Sequence, residues 1–513
     1  MIKHELRHII LQTALFLGAV LALSTSLAQN GGPINLVYSE TVQDAPGLKN
    51  TILAKGNVQF EHDNARLFCD SALFFRNKNI VKAYGKVQIN QNDTINLFCD
   101  SLLYNGNTNI SKLIGNVRFR DNEYKLTTDS LEYNGNTMQG YYRNHAVITS
   151  VHQAMKLTSL KGYYFSRSKT FFFRDSVHIT DPNFELFADT LEFRTPTSTT
   201  HFHGPTTVLM DSTTKLLCTK GTYFTNEGYA ELWNGATLWQ ENTMLYADSL
   251  KFNQNEDIGE GFCNIKIKDS TENSEIRSDY VYKFKGQNHL KLADNAKIIQ
   301  FNKADTLIVK ADSIDWQNDT VTDFMRAIAE YNVHIFNGAI VVRCDSASFL
   351  EKDSLIKLHK DPIIWNEENQ LTSDSTTIIY YEGEFHKIFM HDNAFLASKK
   401  DSIYYDQIKG KDMIVQLDSN QLKRIYVEKN VMTNFFLQQD SEDSTQVKVV
   451  TGMNHSICNE IVVYFIKGEL DRVAFLDEPE AKFYPIEDLP AKEERLKGFL
   501  WQIERKPEKE ILE

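Results

Sequence analysis

A repeat of about 30 residues runs through most of this 513-residue chain. Its clearest signature is a small residue, then Asp, then Ser or Thr, followed by an apolar residue and, two positions later, an aromatic one. The Asp of the clear copies stands at positions 70, 100, 129, 189, 248, 312 and 345. The spacing is 30 residues from Asp70 to Asp100 and 29 from Asp100 to Asp129, and the roughly doubled intervals contain degenerate copies. A period of this length predicts a stack of similar structural units.

A second signature, Gly-Asn-Val-x-Phe and its variants, lies between these copies and begins most clearly at Gly56, Gly85 and Gly115. Residues two apart share one face of a strand, so Val58 and Phe60 point one way and Gln59 the other. The apolar parity changes across Asp70-Ser71, which indicates one extra residue there, as in a bulge or a corner. The sequence therefore predicts an all-β repeat fold of about fourteen units, each with two strands that bury their apolar face against neighbouring units.

The first 28 residues have the anatomy of a secretory signal peptide. Lys3 and Arg7 precede an apolar run from Ile9 to Leu23, and Ser26-Leu27-Ala28 supplies small residues for cleavage. This pattern predicts export and removal of residues 1–28, with a retained N-terminal anchor as the alternative. No later segment approaches 18 consecutive apolar residues.

The clarity of the repeat predicts where the other segments begin and end. Residues 29–50 form an N-terminal segment in which Ile34, Leu36 and Tyr38 suggest an edge strand. The repeat array occupies 51–400, its degenerate continuation 401–485, and a charged amphipathic tail 486–513. Leu496, Phe499, Leu500 and Ile503 have the spacing of a short helix, which we expect to cap the end of the array.

Motifs for catalysis are absent from the sequence: it contains no nucleophile elbow, zincin, phosphate-loop or dinucleotide-binding motif. His201 and His203 share a strand face, but two imidazoles make a surface pair a better interpretation than a metal site. We expect the recurrent Asp to stabilise a corner by accepting a backbone N–H two residues on. The net charge of −13 disfavours nucleic acid as a partner. The chain is predicted to be no enzyme and to bind no metal and no cofactor.

Three of the six cysteines, Cys69, Cys99 and Cys344, occupy the same repeat position before Asp-Ser. This placement predicts small buried apolar residues. A disulfide between Cys69 and Cys99 on neighbouring strands is the alternative.

The pairing of the two signatures resembles the OstA/LptA family of lipopolysaccharide-transport proteins, whose strands show a similar alternation of G-N-V and A-D-x-L. The resemblance is strongest between residues 50 and 350. It implies an elongated, partly open β-jellyroll, a sheet folded like a taco that grips acyl chains along its interior. It also implies a periplasmic, non-enzymatic carrier or bridge for lipopolysaccharide during transport to the outer membrane, and association with that membrane is left open. The implied partners are the lipid A acyl chains and, through edge-strand pairing, other jellyroll domains of the bridge or the outer-membrane assembly protein.

Parity along the strands selects candidates for the lipid groove, although the same residues could be plain core. These candidates are Val58, Phe60, Phe74, Val87, Ile89, Tyr104, Val117, Phe119, Tyr133, Phe193, Phe252 and Trp316. One rival interpretation is a structural filament or surface adhesin with a closed interior. A polysaccharide-active β-helix is less favoured, because the sequence shows no cluster of carboxylates or basic residues across adjacent repeats.

Overall fold

The computed structural model describes residues 32–508, except for 64, 92–94, 121–123, 152–153, 166, 183, 211, 254, 286–287, 304, 319–324, 441–447 and 468. The predicted signal peptide, residues 1–28, lies outside the described residues. The described chain consists of antiparallel strands, turns and four short 3-10 turns, with no α-helix in these ranges, so the predicted all-β fold class is confirmed. Two compact units, Met1–Pro196 and Thr197–Glu513, make up the chain.

Unit 1 is a run of antiparallel strands in which each long strand pairs with the next one along the chain. Its strands are β1 (Asn35–Tyr38), β2 (Thr41–Asp44), β3 (Thr51–His62), β4 (Ala65–Phe75), β5 (Ile80–Gln91), β6 (Ile95–Asn105), β7 (Ile110–Arg120), β8 (Tyr124–Asn134), β9 (Gln139–Tyr142), β10 (Ala146–Ser150), β11 (Lys156–Ser159), β12 (Lys161–Phe165), β13 (Thr170–Asp181) and β14 (Phe184–Arg194). A 3-10 turn, Arg76–Lys78, follows β4.

Short strands take the place of single long strands at three positions of unit 1. β9 and β10 pair with the two halves of β8, and β11 and β12 pair with the two halves of β13. In the same way, β1 and β2 pair with the two halves of β3. The edge strand predicted near Ile34 to Tyr38 is therefore confirmed as β1.

Every long strand of unit 1 bends near its middle because two residues of one strand oppose a single residue of the next. Lys55 pairs with Ser71 and Val58 with Cys69, so Gly56 and Asn57 together stand opposite Asp70. Gly56 and Asn57 both have positive φ, 81° and 47°, a conformation that Gly and Asn adopt more readily than other residues. The extra residue thus belongs to the Gly-Asn strand, so the prediction of an extra residue at Asp70-Ser71 is wrong, and the Asp-Ser strand is its partner.

The bends divide the sheet into two facing walls. In β3 and β4, wall A contains residues 51–55 and 71–75, and wall B contains residues 58–62 and 65–69; the other strands divide in the same way. Phe60 of wall B and Phe74 of wall A meet edge to face, with ring centroids 5.5 Å apart. Phe119 and Tyr164 make the same kind of contact at 5.6 Å. The sheet of unit 1 is therefore folded over an apolar interior, as the taco-like prediction required.

The recurrent Asp accepts a hydrogen bond at the bend. Asn116 Nδ2 donates to Asp100 Oδ2 over 2.7 Å. In unit 2, equivalent bonds join Asn264 to Asp248, Asn295 to Asp279, and Asn332 to Asp312, at 2.6, 2.8 and 2.9 Å. In these four cases the Asp is structural, as predicted, but its donor is an Asn side chain on the next strand rather than a backbone N–H two residues on.

Unit 2 repeats the bent-strand plan of unit 1. Its strands are β15 (Thr199–Phe202), β16 (Thr206–Leu209), β17 (Thr214–Cys218), β18 (Lys220–Phe224), β19 (Tyr229–Gln240), β20 (Thr243–Asn253), β21 (Ile258–Asp269), β22 (Ser274–Lys283), β23 (Asn288–Phe301), β24 (Thr306–Asn318), β25 (Met325–Asn337), β26 (Ile340–Leu350), β27 (Leu355–His359), β28 (Ile363–Asn366), β29 (Asn369–Thr372), β30 (Ser375–Tyr381), β31 (Glu384–Lys399), β32 (Tyr405–Asp418), β33 (Gln421–Asp440), β34 (Lys448–Ile466), β35 (Glu469–Phe475) and β36 (Glu480–Pro485). The 3-10 turns are Glu351–Asp353, Ile486–Asp488 and Ile503–Arg505.

The segment after β36 is not the predicted helix. Leu496 is buried, whereas Leu500 is 64% exposed, so the four apolar residues do not share a buried face. The backbone groups at Leu496 and Leu500, which a helix would pair internally, instead bond to the side chains of Gln407 and Gln370. The prediction that this segment caps the array as a helix is therefore wrong.

All six cysteines are free thiols. Cys69 and Cys99 are buried on β4 and β6, and Val87 of the intervening strand β5 pairs with Cys99. Two strand spacings amount to about 9.6 Å, beyond the roughly 7 Å limit between the Cα atoms of a disulfide. The disulfide alternative is therefore wrong, and the prediction of small buried residues is confirmed for Cys69, Cys99 and Cys344.

Candidate functional site

The interior of unit 1 contains a cavity of about 200 Å³ between the two walls. Its apolar lining includes Ile34, Phe60, Leu67, Ile89 and Leu102, and its polar lining includes His62, Asp63, Tyr104, Asn109 and Asn136. Phe60 and Ile89 alternate with outward polar residues along their strands, so ordinary strand periodicity builds this part of the surface.

The polar residues lie where the free edges of the two walls meet, a line that we call the seam. His62 is the last residue of β3 on wall B and Asp63 follows it, whereas Tyr104 and Asn109 lie at the edge of wall A. The Tyr104 hydroxyl is 2.5 Å from His62 Nδ1, and Asn109 Nδ2 donates to Asp63 Oδ2 over 3.3 Å. Burial, aided by the negative charge of Asp63, raises the pKa of Tyr104, so this phenol stays protonated and able to donate. Side-chain hydrogen bonds therefore bridge the seam beside the cavity.

The described start of the chain also reaches the seam. The Gly32 carbonyl accepts hydrogen bonds from His62 Nε2 at 2.7 Å and from Asn79 Nδ2 at 3.0 Å. The Ile34 N–H donates to Asn79 Oδ1, and the Ile34 side chain is buried in the cavity lining. Because a carbonyl oxygen only accepts, His62 Nε2 is the donor in its bond to Gly32.

A second, smaller cavity of about 20 Å³ lies between aromatic side chains of unit 1. Phe119, Leu126, Tyr133, Tyr164 and Phe171 contribute to its lining. Its volume is close to that of one water-sized probe. Tyr133 lines both cavities, so the two spaces adjoin the same side chain.

The twelve predicted groove residues do not form one surface. Phe60, Ile89, Tyr104 and Tyr133 line the larger cavity, and Phe119 lines the smaller one. Val58, Val87 and Val117 directly follow the bulges and are completely packed. Phe74 contacts Phe60, and the ring of Phe193 lies 6.3 Å from that of Tyr124. Phe252 and Trp316 are half-buried in unit 2 and line neither of these cavities.

Strand parity missed the polar half of the site. His62, Asp63 and Asn109 stand at strand ends and turns, where the parity rule does not apply. A signal was nevertheless present, because Tyr-Asn-Gly-Asn-Thr occurs at 104–108 and again at 133–137. The repeated turns stack: Asn136 Nδ2 donates to the Thr108 carbonyl over 3.2 Å, and Asn109 Nδ2 donates to Asn136 Oδ1 over 2.6 Å.

His201 and His203, the candidate metal pair, have ring centroids 6.3 Å apart. His201 Nδ1 lies 2.9 Å from Thr222 Oγ1, within hydrogen-bond distance. In the described parts of the chain, no group of three or more His, Cys, Asp or Glu side chains is placed to hold a metal ion.

The structure of unit 1 defines a class of protein: a repeated antiparallel sheet folded over an apolar interior with a polar seam. Residues 37–189 match the family model described as OstA-like protein, so this part of the chain is similar to that family. This match relates the β-fold to lipopolysaccharide transport, and the family is a periplasmic carrier family rather than an enzyme family. No curated protein matches the chain. Among the described residues, no helix has the length and apolar character needed to cross a membrane.

Proposed function

We propose that this protein is a periplasmic, non-enzymatic carrier or bridge that binds the acyl chains of lipopolysaccharide between the walls of unit 1. The observation that supports this function best is the cavity of about 200 Å³, because it joins an apolar floor to a polar seam within the part of the chain that is similar to the OstA-like family. An acyl chain matches the floor, whereas the sugar and phosphate groups of the same lipid match the polar seam and solvent.

The free energy gained by burying an acyl chain exceeds the free energy lost when the hydrogen bonds of the seam break. The cavity is smaller than the roughly 300–1,000 Å³ of typical ligand pockets, so a whole acyl chain requires the walls to separate. Each seam hydrogen bond contributes about 0.5–1.5 kcal/mol net. Burial of a methylene contributes about 0.8 kcal/mol, so about ten methylenes outweigh the few bonds at the seam.

The first strand of unit 1 supports the proposed pairing with another jellyroll domain. Val37, Tyr38 and Val42 of β1 and β2 are 53%, 50% and 54% exposed, although they belong to the strands paired with β3. A strand with exposed apolar side chains and unpaired backbone groups is a template for β-augmentation. We infer that a neighbouring domain of the bridge, or of the outer-membrane assembly protein, pairs at this edge.

A photo-crosslinking amino acid placed in the full-length chain tests the carrier proposal. Phe60 and Tyr133 are the inward positions. The outward controls are Gln59, on the same strand as Phe60, and Arg118, on β7 beside the strand of Tyr133. Expressed in cells that make lipopolysaccharide, the two inward variants should give a lipid adduct on irradiation and the outward variants should not. Adducts of equal yield at all four positions, or none at the inward ones in a folded protein, would contradict lipid binding between the walls.

A seam lock gives an independent test. A Cys263→Ser background removes the exposed native thiol, and Asp63→Cys with Asn109→Cys places one thiol on each side of the seam. A short bifunctional thiol reagent should then reduce the lipid adduct at Phe60 strongly, whereas a monofunctional reagent should not. An unchanged adduct in the cross-linked protein would show that lipid does not enter through this seam.

A structural filament or adhesin remains the second candidate, because Phe60 and Phe74 meet across the interior and both are buried. In that case the photo-crosslinks at inward positions would join only protein side chains. The third interpretation, a polysaccharide-active β-helix, is wrong: a β-helix has parallel coils, whereas the strands of both units pair antiparallel.

A further inference from the structure

The segment from Leu489 to Lys506, here called the tail, lies on one face of the sheet in unit 2. Beneath it is a cross-strand row of side chains in which Gln370 pairs with Ala397, Ala397 with Gln407, and Gln407 with Asn434. This row lies on the outward face of the sheet. Leu396 follows the bulge of its strand by the same number of residues as Phe60 does in β3, so its side chain points to the interior. Neighbouring residues of a strand alternate between faces, so Ala397 points outward.

Three amide side chains of this row are almost completely buried. Gln370, Gln407 and Asn434 are 2%, 1% and 0% exposed, although they occupy outward strand positions. A buried amide without partners costs about 1–3 kcal/mol per unsatisfied group, so such residues are expected only where something bonds to them.

The backbone of the tail supplies those bonds. Gln407 Nε2 donates to the Glu494 carbonyl at 2.9 Å, and its Oε1 accepts from the Leu496 N–H at 2.8 Å. Gln370 repeats this arrangement with the Leu500 carbonyl at 2.6 Å and the Gln502 N–H at 2.7 Å. Each Gln therefore donates and accepts as a peptide group of a neighbouring strand does.

Asn434 extends the same arrangement to a third strand. Its Nδ2 donates to the Glu493 carbonyl over 2.8 Å. All these bonds engage backbone atoms of the tail, whose chain runs through turns at Pro490–Glu493 and Leu496–Phe499, so they recognise its main chain rather than particular side chains.

Apolar side chains of the tail fill the spaces between these amides. Leu496 packs in a buried cluster with Phe395 and Ala397. The ring of Phe499 lies 5.3 Å from that of Tyr405, and the ring of Trp501 lies 5.0 Å from the same tyrosine. Leu496, Phe499 and Trp501 thus supply side-chain specificity that the amide bonds alone do not give.

We propose that the row of Gln370, Ala397, Gln407 and Asn434, with Phe395 and Tyr405 beside it, is a recognition site for the main chain of a peptide that folds into successive turns. The tail is its ligand and occupies the site in cis. The inference is independent of lipid binding, since the site lies on the outward face of unit 2. Because the bonds described here run from sheet side chains to the tail, the tail can leave without breaking the strand ladder.

A cleavable full-length chain tests this site. A specific protease sequence is inserted between Asp488 and Leu489, where Asp488 is exposed. After cleavage the tail should stay with the protein on gel filtration, and a fluorescent peptide of residues 489–508 should exchange into the site. Gln407→Ala should speed loss of the cut tail at least tenfold, which corresponds to about 1.4 kcal/mol.

The matched control is Gln416→Ala, which changes the same residue type on the same strand β32. Gln416 accepts from Arg424 and lies away from the tail. Immediate loss of the cut tail from a folded protein, or equal acceleration by Gln407→Ala and Gln416→Ala, would overturn the proposal.

Hydrogen exchange of the uncut chain tests the same site without cleavage, and it therefore applies even if cleavage unfolds unit 2. The Leu496 amide should be protected in the native protein and should lose at least tenfold of that protection in Gln407→Ala. A Leu496 amide that exchanges freely in the native chain would show that the amide row does not hold the tail.

Discussion

The bend of the sheet gives the sharpest energetic prediction, the effect of Gly115→Ala. Gly115 has a φ of +79°, and a Cβ atom added there would lie 2.6 Å from Asp100 Oδ2. That oxygen already accepts a hydrogen bond from Asn116 over 2.7 Å. The substitution therefore forces a left-handed conformation on alanine and pushes against a carboxylate held in place.

The two costs can be separated by a double-mutant cycle. The left-handed conformation costs a non-glycine residue about 1–2 kcal/mol, and overpacking typically costs about 1–3 kcal/mol more. Asp100→Ala removes the obstructing oxygen and its hydrogen bond, at a cost of about 1–2 kcal/mol. In the Asp100→Ala background, Gly115→Ala should retain the backbone cost and only the milder contact with the Cβ of residue 100 at 3.0 Å, so the two changes should couple by about 1–2 kcal/mol.

Hydrogen exchange across β6 and β7 is the appropriate assay, because a long repeat chain does not unfold as one two-state unit. Gly115→Ala alone should accelerate local exchange about 30-fold or more, at tenfold for each 1.4 kcal/mol. Gly47→Ala is the matched control, since Gly47 has a φ of +75° with no heavy atom within 4 Å of the added Cβ. Additivity within about 0.5 kcal/mol in the cycle would refute the steric reasoning.

Three further predictions concern burial. Phe60→Ala should lower the local stability of β3 to β5 by about 3–5 kcal/mol, because it empties a buried position between the walls; exchange rates within about fivefold of the native chain would contradict this. Mass spectrometry after mild alkylation at pH 8 should find Cys263 modified well before Cys99, since burial raises the pKa of Cys99 to about 12 and only the thiolate reacts; equal rates would be inconsistent with the described burial. Burial raises the pKa of Asp406 and outweighs the opposing charge of Lys400. The stability contributed by this carboxyl is therefore full below about pH 3.9 and falls as the pH rises through the folded-state pKa. Asp406→Asn should flatten this pH dependence in exchange measurements on β32 and β33, and an unchanged pH profile would exclude the effect.

The fold was predictable because its determinants are local and recur. Parity placed Val58 and Phe60 on one face, and the change of parity at Asp70 located the bend. The same reasoning placed the extra residue on the wrong strand, at Asp70-Ser71. The correct assignment depends on the positive φ of Gly56 and Asn57 and on their pairing with the next strand.

The candidate site was less predictable because it depends on contacts between distant residues. Parity cannot distinguish Val58, which is fully packed at a bend, from Phe60, which lines the cavity. The bond from Asn109 to Asp63 joins two turns that no strand pattern relates. The prediction of a helix in the tail was wrong for the same reason. The helical spacing of its apolar residues is a local pattern, whereas the tail bonds to Gln407, which lies on a strand far away in the chain.

The bend has a consequence for how a chain of this kind can change in length. Each bend is specified locally by two consecutive residues of positive φ and the residue opposite them, as by Gly56, Asn57 and Asp70, so no repeat depends on a unique framework elsewhere. Insertion of one complete 30-residue repeat adds two strands, or about 9.6 Å along a unit, and leaves its cross-section unchanged. Insertion of half a repeat would instead place two Asp-Ser strands side by side and deprive one Asp of its Asn. The reach of such a protein is therefore adjustable in whole steps of about 10 Å.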